Sequence, residues 1–245
     1  MDYEKYMFSN REKLQYGLEV LILSGVISYL FYRSIYAMVL VIPIGLFFWK
    51  EKKKELADKR RQRLGEEFKD GILAIATALK VGYSMENAVL EATKDLKMVY
   101  SPKSDIIREF TLINLQVRNN VVIEKLLLDF GKRSHVEDIQ DFAEVFAIAK
   151  RNGGDFYKII QNTAVTIRDK IEVKQEIETM ITAKQFEQKI MNLIPILIIV
   201  YISMTSPHFF DTLYHNLFGV LIMTGCLLVY FLAILLARHI TAIEI

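Results

Sequence analysis

The chain has 245 residues, of which 52% are hydrophobic and 24% charged, with a formal net charge of +2 and a positive mean hydropathy. Its single cysteine, Cys226, excludes an internal disulfide and argues against a thiolate metal cluster. The net charge says little, but its distribution is informative: residues 50–189 hold 26 of the 31 Lys and Arg and 23 of the 29 Asp and Glu, whereas residues 190–210 and 212–237 hold none.

Charge-free runs of 20 or more residues are long enough to cross a hydrocarbon core of about 30 Å. The expected fold is therefore an all-α membrane protein. Two transmembrane hairpins, about four spans, flank one cytoplasmic six-helix bundle. The expected segments are residues 1–50 (N-terminal segment and first hairpin), 51–189 (helical domain) and 190–245 (second hairpin). The apolar run after Lys13 continues past a signal-peptide core and shows no small-residue cleavage pattern, so no cleaved signal is expected.

From Val20 to Trp49 the only charge is Arg33. One helix would be too long for a single untilted span and would hold Arg33 at mid-membrane at considerable cost. A tight hairpin is expected instead, with spans over residues 14–31 and 34–49. Tyr29, Phe31, Tyr32 and Tyr36 then lie at the outer interface, and Phe47, Phe48 and Trp49 at the inner one. Glu19 is the one acid near membrane depth in the first span.

A basic run follows, including Lys52, Lys53, Lys54, Lys59, Arg60, Arg61 and Arg63. Its place directly after a span makes it a topology signal and a contact for anionic lipid headgroups, and argues against nucleic acid as the partner. Together with Lys184, Lys189 and Arg238 it puts both termini and the central domain in the cytoplasm.

The central domain has few glycines, one proline and no strand-like alternation. Phe68, Ile72, Ile75, Ala76 and Leu79 form a stripe at helical spacing over residues 64–81. Gly82 and Tyr83 end that helix, and Ser84 caps a second one to about residue 96. Ser101 and Pro102 are expected to start a third, which Asn119 and Asn120 end. A fourth covers residues 122–133. Ser134 and Glu137 are expected to form a capping box for a fifth.

Asn152, Gly153 and Gly154 end the fifth helix, and Asp155 caps the sixth. No Gly or Pro then interrupts the chain until Pro195. Phe156, Ile159, Ile160, Thr163, Ile167 and Ile171 hold an apolar stripe, which Ile177, Met180, Ile181 and Phe186 extend. The expectation is one long helix from the domain into the bilayer, with Pro195 as a flex point because its ring removes a backbone donor. The last two spans cover residues 190–206 and 217–237.

The chain offers little chemistry. Gly153-Gly154 lacks the Lys and Ser/Thr of a phosphate loop, and Asp155 would repel phosphate, so no nucleotide or other cofactor is expected. His208, Asp211 and His215 read as solvated loop residues, so no metal site is expected. No catalytic motif is present, and the chain is expected not to be an enzyme. Lys52, Lys53, Arg60, Arg61, Arg63, Arg168 and Lys170 are the candidates for docking a partner protein. Gly82, Gly153 and Gly154 are expected structural turns.

Residues 68–91, FKDGILAIATALKVGYSMENAVLE, resemble the first half of the F-type domain of type II secretion and type IV pilus systems. Residues 129–151, DFGKRSHVEDIQDFAEVFAIAKR, are similar to its fifth-helix region. Residues 152–170, NGGDFYKIIQNTAVTIRDK, resemble the Gly-rich turn and long helix of the tight-adherence (Tad/Flp) branch, and the following TAKQFEQKIMNLIP places Pro195 at that family's proline. In place of a common turn glycine this chain has Asn119-Asn120, which tolerates the same left-handed backbone.

The resemblance implies an inner-membrane platform protein that couples a cytoplasmic secretion ATPase to extraction of pilin subunits. It implies pilins, that ATPase, and a second platform chain or further copies of this one as partners. A small multi-span transporter or channel subunit with a cytoplasmic regulatory domain is the alternative, which the scarcity of polar groups in the spans disfavours.

Overall fold

The computed structural model describes residue 3 and residues 10–32, 38–152, 156–206, 209–210, 214 and 216–241. The described residues form eight helices and no strand: α1 (Asn10–Tyr32), α2 (Met38–Lys80), α3 (Met85–Val99), α4 (Asp105–Arg118), α5 (Ile123–Ser134), α6 (Glu137–Asn152), α7 (Phe156–Thr205) and α8 (Leu217–Thr241). The chain divides into two units. One comprises residues 1–7 and 53–174, and the other residues 8–52 and 175–245.

The first unit is a helical bundle around one apolar core. The stripe Leu64, Phe68, Ile72 and Ile75 on α2 is fully buried, with Ala76 close behind. Phe68 sits at its centre, edge-on to Phe130 of α5 at 6.1 Å and to Phe142 of α6 at 5.5 Å between ring centroids. Burying each such ring stabilises the fold by about 1.5–3 kcal/mol. Such edge-on pairs add something beyond area because ring edges and faces carry opposite partial charge. Phe110, Ile106 and Ile113 of α4 and Ile160, Ala164, Ile167 and Ile171 of α7 complete the core.

Two glycines set close helix crossings. A Cβ on Gly71 of α2 would lie 2.9 Å from Cζ of Phe110. A Cβ on Gly131 of α5 would lie 2.9 Å from Cα of Gln140 on α6. The second contact is against backbone, which no side-chain rotation relieves.

Turn chemistry accounts for most helix ends. Gly82 has φ +97°, which a residue with a Cβ rarely adopts. Ser84 caps α3 as expected, its hydroxyl accepting from the N–H of Asn87 at 3.3 Å. Asn120, at φ 59°, is the left-handed residue that ends α4.

Two starts differ from the sequence expectation. Ser101 and Pro102 do not begin a helix. The chain makes one turn there, with Ser104 N–H donating to Ser101 O at 2.8 Å, and α4 starts at Asp105. The Ser134–Glu137 capping box does not form either. Ser134 is the last residue of α5, its hydroxyl donating to Gly131 O at 2.8 Å and accepting from Val136 N–H at 3.2 Å. His135 then takes the left-handed conformation at φ 52°, which moves the start of α6 past the serine.

A third difference is larger. The helix expected over residues 64–81 has no start near Leu64, because α2 is unbroken from Met38 through the basic run to Lys80. Lys, Arg, Glu, Ala and Leu are strong helix formers. Ion pairs one turn apart support them here: Lys59–Glu55 at 2.7 Å and Arg63–Glu67 at 3.0 Å.

The second unit contains α1, α8, the start of α2 and the end of α7. Among the described residues three helices are long and apolar enough to cross a membrane, through residues 14–32, the apolar end of α7, and residues 218–237. Large apolar side chains such as Leu197, Ile198, Leu228 and Val229 are exposed there, the surface that a lipid environment requires. Part of the expected span over residues 34–49 lies outside the described residues; from Met38 onward that stretch is helix.

Within this unit Tyr32 Oη and Thr224 Oγ1 share a hydrogen bond of 2.9 Å between α1 and α8, and Tyr214 Oη donates to Leu30 O at 2.7 Å. Pro195 lies inside α7 without ending it. Its missing N–H deprives Met191 O of the usual helical donor. Tyr230 of α8 donates to the adjoining carbonyl, Asn192 O, at 2.5 Å.

Candidate functional site

The charged surface of the helical bundle separates into side chains that hold the bundle together and side chains that project from it. Arg60 belongs to the first class. It makes a two-pronged pair with Asp105 of α4, Nε to Oδ2 and Nη2 to Oδ1, both 2.7 Å. Its guanidinium also stacks over the ring of Tyr3, 4.7 Å from the centroid. A planar fork matched to a carboxylate and resting on an aromatic face is a positioning contact that lysine cannot copy.

Tyr3 is the unexpected member of this surface. It is 1% exposed, its hydroxyl donates to Glu109 Oε1 at 2.9 Å, and its N–H donates to Arg133 O at 3.3 Å. Arg133 in turn grips Glu109 with both terminal nitrogens, at 3.0 and 2.9 Å, while its Nε donates to Asp129 at 2.7 Å. Glu109 is 2% exposed, so this carboxylate is almost wholly removed from water and rests on those three bonds. Burial, then the nearby Glu109 carboxylate, pushes the Tyr3 phenol well above its ordinary value. The hydrogen bonds to Glu109 raise Arg133 further. No sequence signal marks this knot, because Tyr3 lies 106 positions from Glu109 and further still from Arg133.

Glu67 is a second buried carboxylate, also 2% exposed. It accepts from Arg63 Nε at 3.0 Å and from the N–H of Ile106 at 3.3 Å. It thus serves the first turn of α4 in the role a capping side chain normally fills.

The other expected docking residues are distributed as follows. Arg61 pairs with Asp58 on its own helix. Arg63 is tied through Nε, but its side chain is 69% exposed. Lys53 is exposed and Lys52 half-buried. Arg168 pairs with the adjacent Asp169 at 2.7 Å and reaches Glu172 at 3.8 Å. Lys170 bridges to α6, 2.8 Å from Asp138 and 3.1 Å from Glu137, and those bonds, Asp138 first, raise its pKa. Arg60 and Lys170 therefore act as braces between helices.

Gly82 is the exposed turn already described, and Pro195 lies inside α7. Gly153, Gly154 and Asp155 lie outside the described residues, as do Arg33, Tyr36, His208, Asp211 and His215.

The basic run and α4 enclose a cleft of about 420 Å³. It is lined by Lys59, Arg60, Arg63, Leu64 and Glu67 of α2 and by Ser101, Lys103, Ser104 and Asp105. Comparison with family models, with curated proteins and with solved structures finds no match.

Proposed function

We propose that this chain is a membrane platform protein of a pilus-assembly or type II secretion machine, of the tight-adherence kind. On this reading it couples a cytoplasmic ATPase to the movement of pilin subunits out of the bilayer. The observation that carries the reading is the continuity of α2 and α7. Each runs without a break between a charged helical unit and an apolar stretch. A helix is stiff along its axis, so displacement applied to the bundle is delivered to the apolar ends. The order of the F-type segments over residues 68–91, 129–151 and 152–195 supports the same reading.

In this proposal four spans form two hairpins in the cytoplasmic membrane, and both termini and the bundle face the cytoplasm. The burial of Tyr3 inside the bundle supports a shared side for the N-terminal segment and the bundle. The proposed docking face for the ATPase uses the projecting cations Lys53, Arg63 and Arg168. Partner platform chains, or further copies, would cover the apolar side chains of α7 beyond the core. Met180 is 65% and Phe186 64% exposed.

The test is co-purification of the full chain from membranes with a cytoplasmic secretion ATPase of the same cell, followed by ATP turnover with and without the platform in lipid nanodiscs. The expected result is a stable complex, altered turnover, and weakening of both by Lys53→Glu with Arg63→Glu. A chain that purifies alone and leaves turnover unchanged refutes the coupling role.

A further inference from the structure

We infer that the outward face of α1 around Glu19 receives a membrane helix of another protein, one that carries a lysine or arginine at its cytoplasmic end. The inference rests on the reading of α1 as a membrane span whose N-terminal end is cytoplasmic. Glu19 is the only charged residue between Leu14 and Tyr32, the stretch of α1 that is long and apolar enough to cross a membrane. It lies five residues past Leu14, which is about 7.5 Å along the helix axis. Its stem is too short to carry the carboxylate out to the headgroups, as the longer stem of a lysine carries an ammonium.

Within the chain this carboxylate is unmatched. Glu19 is exposed, and its side chain makes no hydrogen bond or ion pair among the described residues. Gln15, one turn earlier, is exposed and equally unbonded. With Ile22, Val26 and Tyr29, all exposed, the two form a single stripe whose members alternate four and three residues apart. At 3.6 residues per turn the stripe covers about 80° of the helix surface and lies roughly opposite Ser24, Ser28 and Phe31. Those three are buried, Phe31 in a cluster with Met223 of α8. The helix thus turns its one charge away from its own protein, toward the side where hydrocarbon would lie.

Ionisable side chains in spans almost always face a bundle interior or a partner, because hydrocarbon cannot solvate them. The other apolar stretches of the chain offer no counter-charge: residues 34–49, 190–210 and 212–237 hold no Lys or Arg. A second copy laid against the same face would bring Glu19 to Glu19, like charge against like. The complementary occupant is a different helix that brings a cation. Membrane helices keep Lys and Arg at their cytoplasmic ends, the level at which Glu19 lies on the proposed topology. Helical side chains lean toward the N-terminus, which carries the Glu19 carboxylate toward Gln15. The carboxylate then accepts from an ammonium or guanidinium, and the Gln15 carbonyl accepts a further N–H from the same group. Ile22 and Val26 continue the contact as apolar surface.

The full chain is reconstituted in phosphatidylcholine liposomes with a synthetic helix of about twenty leucines and alanines and uncharged ends. One peptide carries a single lysine five residues from its end, and its control carries leucine there. The chain's one tryptophan, Trp49, is the fluorescence donor and a dansyl group on the peptide the acceptor. The expected result is saturable energy transfer to the lysine peptide, with association about fivefold weaker for the leucine peptide and for Glu19→Gln. Pairing Glu19→Lys with a peptide bearing glutamate in place of lysine is expected to restore it. Glu19 is exposed and unbonded, so Glu19→Gln is expected to melt with the wild type, which separates loss of the contact from loss of fold. Equal transfer to both peptides, or transfer that Glu19→Gln leaves unchanged, overturns the site. Glu19-dependent self-association without peptide overturns it in favour of a second copy. Flotation of the chain with the liposomes checks the membrane reading separately, so its failure and the failure of this site are told apart.

Discussion

Arg133, Glu109 and Tyr3 show how much a few side chains carry in this bundle. Arg133→Ala leaves Glu109 buried with only the Tyr3 hydroxyl, and breaking a buried pair from one side costs about 3–5 kcal/mol. A matching fall in the chemical-denaturation free energy is expected, far larger than for the exposed pair Lys184–Glu187, 72% and 64% exposed. Tyr3 adds a pH dependence whose sign follows from burial. The folded phenol holds its proton above the ordinary value of 10.0, which the unfolded chain recovers. Its contribution is therefore intact below pH 10 and declines as the pH rises beyond it. Tyr3→Phe is expected to flatten the fall in stability above pH 9, by a slope that approaches one proton near pH 11, measured by urea midpoints between pH 9 and 11. None of this is legible in the sequence. Composition identifies the charged residues, but only the fold brings residue 3 to residues 109 and 133. For the same reason a sequence reading ranks Arg60 with Arg63 as a docking cation, although Asp105 grips Arg60 through Nε and Nη2 whereas Glu67 holds Arg63 through Nε and leaves its side chain 69% exposed.

At the scale of helices, Gly82 and Gly131 separate two reasons for a glycine. Gly82→Ala meets open space, so its cost is backbone strain alone, about 1 kcal/mol. Gly131→Ala drives a methyl against the backbone of α6. It is expected to cost about 1–3 kcal/mol and to loosen the α5–α6 crossing, seen as faster amide exchange at residues 137–143. The sequence makes Gly82 legible, since Gly-aromatic-Ser after a periodic run is turn grammar. It leaves Gly131 silent, because a glycine inside a helical pattern carries no mark of what crosses it. Periodicity also overreaches on α7. Ile160, Ala164, Ile167 and Ile171 are buried, but Met180 and Phe186 on the extended stripe are exposed, because the bundle supplies no facing helix beyond Ile171. The expected separate start near Leu64 fails from the opposite cause. The apolar stripe begins at Leu64, but nothing in the charged run before it breaks a helix.

For the molecule as a whole, the charge distribution makes the division into a charged bundle and apolar helices readable before any coordinate. What it leaves open is the first hairpin, because one arginine within thirty residues is a thin topological signal. The lone native thiol offers a clean test of the proposed topology. In a Cys226→Ser background, Lys103→Cys is expected to react with a membrane-impermeant maleimide only after cells are opened, and Phe209→Cys in intact cells. Labelling of Lys103→Cys in intact cells contradicts the cytoplasmic placement of the bundle.

The Tyr3 contact bears on the order in which the chain is made. Residue 3 leaves the ribosome before its hydroxyl and amide partners, which are on residues 109 and 133. At 5–20 residues per second they follow it by roughly 5–25 seconds. During that interval α1, with its apolar run, emerges and must be received by the insertion machinery while the segment ahead of it is still undocked. Closing the knot is therefore a late event, and it registers that both the first helix and the bundle have been delivered. An N-terminal fusion that blocks Tyr3 would leave synthesis and insertion untouched and spoil the final closure, a defect visible in stability and invisible in yield.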